Sequence, residues 1–168
     1  MKILTESTPL ALWYGAVQEA QTDCHIALKA DVESYLVFML MRYINNPRLA
    51  REIMASQFLD GVNSPLHQRG LILQNVGDQC LLITGLFPAL AEKRRVKVRY
   101  YIELGKISYE VISRKNNDIF SLLSKQFLLL TDVLQSFRPY HSARFSASLY
   151  QLWDESSPLI TPPTENKK

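Results

Sequence analysis

Three dipeptides constrain this chain more than any other feature: Thr8-Pro9, Asn46-Pro47 and Ser64-Pro65. Each places a polar side chain directly before a proline. Such a side chain caps a helix by accepting an amide proton that the first turn leaves unpaired. The proline that follows has no amide to satisfy and a φ already suited to the first helical position. Three copies of one start signal predict a chain built from helices, and the apolar spacing agrees. After Thr8, the residues Leu10, Trp13, Val17, Ala20 and Cys24 form one helical stripe. Asp31 can cap a second helix, "VESYLVFMLMRYI", which is apolar on nearly every face and so predicted to be central. Asn46-Pro47 opens a third helix that Asp60-Gly61 would close, with Gly61 in the left-handed position beyond the last turn. Ser64-Pro65 opens a fourth.

The longest seam lies later. Phe120, Leu123, Phe127, Leu130, Leu134 and Phe137 step by three and four, with Asn117 as the expected cap and Pro139 as the stop. A short last helix is expected around Phe145, Leu149, Leu152 and Trp153. From Ser156 the chain reads "SSPLITPPTENKK", too polar and proline-rich to bury, and is expected to be a disordered tail. Val96–Arg114 supports two readings. "VKVRYYIEL" alternates like a strand, whereas Val98, Tyr101, Ile102, Gly105, Ser108, Tyr109 and Ile112 share a helical face; the longer pattern and the helical neighbours favour helix. The expected fold is all-α, one bundle of six or seven helices over residues 1–155 with a tail over 156–168.

Composition narrows the function classes. Apolar residues make up 47% of the 168 and charged residues 21%, as in a globular domain with a sizeable core. No apolar run reaches the roughly 18 residues of a membrane span. "CLLITGLFPALA" is cut by Pro88, and Glu6 and Pro9 interrupt the place where a signal peptide would have its apolar centre. Cys24 and Cys80 have no CxxC spacing and read as thiols in a reducing compartment, which points to the cytoplasm. P-loop, dinucleotide GxGxxG and GxSxG patterns are absent, so no cofactor is implied. Neither Glu-x-x-His nor zinc spacing occurs, and no metal site is expected.

The candidate site residues centre on "GDQCLLITGLF", Gly77 to Phe87. As a helix, Leu73, Val76, Cys80, Ile83 and Phe87 form a buried stripe, while Gly70, Gly77 and Thr84 fall seven apart on another face. Glycine inside a helix costs roughly 1 kcal/mol against alanine, so close packing or a ligand must offset it. Cys80 lies among leucines, which favours a structural thiol over a nucleophile. Glu33, Asp78 and Glu103 are carboxylates in apolar surroundings. Asp78 needs a partner, with Arg99, Tyr100, Tyr101 and Tyr109 as candidates. The basic excess of the second half gathers in "EKRRVKVR", where Lys93, Arg94, Arg95 and Lys97 are candidates for an anionic partner. No nucleic-acid reading motif accompanies them.

"VGDQCLLITGLFP", "RRVKVRYYIELGKISYEVI" and "LYQLWDESS" together resemble a family of uncharacterised bacterial all-helical proteins, over roughly Asp31 to Ser156. The resemblance implies one helical domain and a bacterial source, and carries no catalytic residue. The glutamate expected after "FP" is replaced by Ala89. Two functions follow from the residues. One is a non-enzymatic interaction module that self-associates or binds a protein partner. The alternative is a binding protein or enzyme for a small, partly apolar ligand, its pocket between Gly77–Cys80 and Tyr100–Tyr109 with Glu33 or Asp78 as anchors.

Overall fold

The structure is a computed structural model and describes residues 8–45, 54–86 and 96–137. Those residues form seven helices and no strand: α1 (Pro9–Cys24), α2 (Ala30–Asn45), α3 (Met54–Asn63), α4 (Leu66–Leu86), α5 (Val98–Ile112), α6 (Ile119–Lys125) and α7 (Phe127–Gln135). The all-α expectation holds, and the ambiguous segment is helix. The opening at Asn46-Pro47, the expected helix near Phe145 and the tail lie outside the described residues.

Thr8 caps α1 as its sequence predicts, accepting the Ala11 amide at 3.2 Å with Pro9 at the first helical position. The helix closes without glycine. His25 takes the left-handed conformation (φ 58°), and the amides of His25 and Ile26 bond back to Thr22 and Gln21. Elsewhere the boundaries differ from the sequence reading. Asp31 lies in the first turn of α2 rather than before it, its carboxylate accepting the Val32 amide. Gly61 does not end α3. It sits within the helix, where a Cβ would come 2.9 Å from Leu73 Cδ2, so its bare backbone lets α4 approach. Ser64 donates its hydroxyl back to the Asp60 carbonyl, closing α3.

The long seam is buried as expected at Leu123, Phe127, Leu130, Leu134 and Phe137, but one helix becomes two. The break is confined to Gln126, whose amide bonds to Leu122 and whose carbonyl accepts from Leu130. The cap of α6 is Asp118, not Asn117. A carboxylate reaches the Ser121 amide at 2.8 Å, while Asn117 supplies the left-handed turn (φ 66°) ahead of it.

The core forms around the second half of α4. Every residue from Val76 to Gly85 is buried, including the polar Asp78, Gln79 and Thr84. α4 packs against α3, α5 and α7, and α1 joins α2 to α7, where the Trp13 and Phe137 rings stack at 5.7 Å. No described helix is long and apolar enough to cross a membrane.

Candidate functional site

The glycines of α4 and α5 decide what lies between these helices. A Cβ on Gly77 would fall 2.6 Å from the Tyr109 ring, and one on Gly105 would fall 2.6 Å from the Phe127 ring and 2.9 Å from the Cys80 Cβ. The rings occupy the space that the missing side chains leave. The expected face of Gly70, Gly77 and Thr84 splits along the helix. Gly77 meets α5, and Thr84 meets Thr131 of α7 with hydroxyls 3.4 Å apart. Gly70 faces open space, so it takes no part in close packing.

Asp78 is fully buried beside this contact and is the centre of a polar hub. Its Oδ1 accepts the hydroxyls of Tyr35 and Tyr109, each at 2.6 Å. Its Oδ2 pairs with the guanidinium of Arg42. Gln74 donates to the Tyr35 oxygen at 3.1 Å, and Tyr43 donates to the Asn75 carbonyl at 3.2 Å. Thus α2 reaches α4 through two tyrosines and an arginine, long side chains that span the gap. Aromatic rings enclose the hub: Tyr109 stacks on Phe120 at 6.3 Å, and Tyr35 stands edge-on to both. Burial in this apolar shell pushes the Tyr35 and Tyr43 hydroxyls up to about 12, the cation of Arg42 opposing it, and holds Tyr109 well above the usual phenol range. All three hydroxyls therefore remain protonated donors at neutral pH.

Among the site residues expected from the sequence, Asp78 and Tyr109 come together, and Cys80, two residues on in α4, is fully buried. Burial raises the Cys80 thiol far above its ordinary range, which removes its thiolate at neutral pH. The other candidates stand apart. Arg99 is on the surface, paired with Glu103 at 3.0 Å. Tyr101 is buried beside Tyr100, which is exposed, and neither reaches Asp78. Glu33 accepts from Gln21 at 2.6 Å, and the Gln21 oxygen takes the Leu28 amide, so this carboxylate fastens α1 to α2. Glu33 and Asp78 serve separate networks. Lys97 is exposed at the start of α5; Lys93, Arg94 and Arg95 lie outside the described residues. Among the described residues no three of His, Cys, Asp and Glu gather as metal ligands.

Sequence reasoning missed Tyr35 and Arg42. Their signal is present in "SYLVFMLMRY", where two polar-headed side chains seven apart share a face of an otherwise apolar helix. It also missed the surface of the α3–α4 hairpin. There Leu59, Leu66 and Leu71 are 62%, 83% and 62% exposed, with Val62 at the edge.

No protein-family model, curated protein or solved structure matches this chain.

Proposed function

We propose that this protein is a non-enzymatic helical interaction module that associates with a second copy of itself through the α3–α4 hairpin. One observation carries the reading: four apolar side chains of the hairpin, Leu59, Val62, Leu66 and Leu71, are exposed. Leu66 and Leu71 belong to the first half of α4, ahead of the fully buried stretch, so the same helix is core at one end and exposed apolar surface at the other. Charge favours a second copy as the occupant. Phe58 to Leu71 carries one carboxylate, Asp60, and one guanidinium, Arg69, which turns back to the Val62 carbonyl at 3.0 Å. A two-fold contact sets a patch against itself, and a neutral patch does so without repulsion. A cytoplasmic setting suits the buried Cys80 thiol, and a bacterial source stays with the resemblance noted above.

The test is sedimentation velocity from about 5 µM to about 500 µM. Four leucine- and valine-sized contacts per copy, less the cost of association, correspond to a dimer of about micromolar Kd. Leu59→Glu combined with Leu66→Glu should give a monomer at every concentration, with thermal stability kept. A wild-type chain that stays monomeric throughout refutes self-association. A double variant that melts far below the parent shows instead that the patch is covered by the chain's own residues.

A further inference from the structure

A cleft of about 510 Å³ opens where the end of α5, the loop 113–118 and α6 meet, and its lining includes no partner of Asp78 and no residue of the α3–α4 hairpin. Its charge is unlike that of the chain as a whole. Lys106, Arg114, Lys115 and Lys125 line it against one carboxylate, Glu110, a balance of four to one where the whole sequence has 19 to 16. Among the described residues no ion pair ties any of these four cations to a carboxylate. Hydroxyls of Ser121 and Ser124 lie on the wall, both residues largely buried.

The cleft is also held in shape. The Asp118 carboxylate accepts four bonds: the Ser121 amide and Ser113 hydroxyl on one oxygen, the Arg114 and Lys115 amides on the other. Those bonds, the Ser121 amide first, hold the Asp118 carboxyl well below its usual range, so the clamp persists at any physiological pH. Ser124 donates to the Lys106 carbonyl at 3.0 Å and fastens α6 to α5. The Lys125 ammonium donates to Asn116 and Asn117 at 2.9 and 3.3 Å, leaving its third proton available. The loop backbone is thus ordered before any ligand arrives, which lowers the entropic cost of binding.

We propose that this cleft binds a phosphorylated small molecule carrying two or more negative charges. A concave wall with an excess of one sign focuses the field on its contents. The guanidinium of Arg114 matches two phosphate oxygens at once, and the lysine ammonium groups suit the remaining oxygens. Four cations against Glu110 and the clamping Asp118 leave two net positive charges, which suits a ligand with two or more negative charges, and the volume lies within the range of small-molecule sites.

Titration calorimetry on the full chain with inorganic pyrophosphate tests this. Pyrophosphate should bind with Kd on the order of 0.1 mM at low salt, about tenfold tighter than inorganic phosphate, and weaken as salt rises. Arg114→Gln with Lys125→Gln should lower affinity at least about tenfold, and Glu110→Gln should raise it about threefold, each by change of charge in the cleft. Lys97→Gln, outside the cleft, should leave it unchanged. The proposal is overturned by absence of pyrophosphate binding at about 10 mM, by an equal loss in Lys97→Gln, or by heparin binding that pyrophosphate does not displace. None of these positions lies on the α3–α4 hairpin, so the cleft variants test a site other than Leu59 and Leu66.

Discussion

Removing the Asp78 carboxylate should be the most damaging small change in this protein. Asp78→Ala leaves the Tyr109 hydroxyl in a site with no solvent exposure, and a stranded buried donor costs about 1–3 kcal/mol. Tyr35 loses its acceptor too, although Gln74 still donates to its oxygen, which adds about 1–2 kcal/mol. Arg42 loses its counter-ion, but its side chain is 35% exposed and can turn to water, so its share is discounted to about 1 kcal/mol. The sum is roughly 3–6 kcal/mol, a large part of the stability of a domain this size. Tyr109→Phe removes one donor and leaves the carboxylate satisfied by Tyr35 and Arg42, so it should cost only about 1 kcal/mol. Urea unfolding followed by circular dichroism measures both, with an unchanged slope showing that the unfolded state is the same. If Asp78→Ala costs less than about 1 kcal/mol, or Tyr109→Phe costs as much as Asp78→Ala, the carboxylate is not the centre of the hub.

Three further outcomes are expected. Gly77→Ala should destabilise by about 1–3 kcal/mol, because its Cβ meets the Tyr109 ring, whereas Gly70→Ala, in open space, should stabilise by up to about 1 kcal/mol; thermal melts of the two separate packing from helix propensity. The stability that the buried tyrosines contribute should be constant through neutral pH and fall between about pH 10 and 12. The unfolded chain releases the phenol protons near pH 10, while folded Tyr35 and Tyr43 hold theirs to about 12, at about 1.4 kcal/mol per pH unit for each. Urea midpoints across that range check the slope, and a flat profile would contradict it. Iodoacetamide should modify the half-buried Cys24 in the native protein and Cys80 only after unfolding, as mass spectrometry would read directly.

The helical class was legible because its signals are local. Thr8 caps α1 through a residue three positions away, and the stripe from Leu123 to Phe137 is buried as its spacing requires. The helix ends were less so. Gly61 has the residue type of a terminator, yet contact with Leu73 uses its lack of a side chain inside the helix. Asn117 and Asp118 are both acceptable caps by composition, and the four bonds available to the carboxylate decide for Asp118.

The sequence alone determined that α4 carries a buried stripe from Leu73 to Ile83 and that Asp78 needs a partner. Periodicity fixes which residues share a face, and the cost of burying an unpaired carboxylate holds in any fold. Tertiary structure alone decided which partner. Arg99 lies nearer to Asp78 in sequence, but the turn of α5 sends it to the surface beside Glu103. Arg42, 36 residues away on α2, is the one that reaches the carboxylate. The basic cleft follows the same logic. The run at Lys93–Lys97 is conspicuous because four of its five residues are basic, while Lys106, Arg114, Lys115 and Lys125 are scattered over two helices and a loop. A concave charged surface depends on where helices meet, and that depends on every contact that packs them.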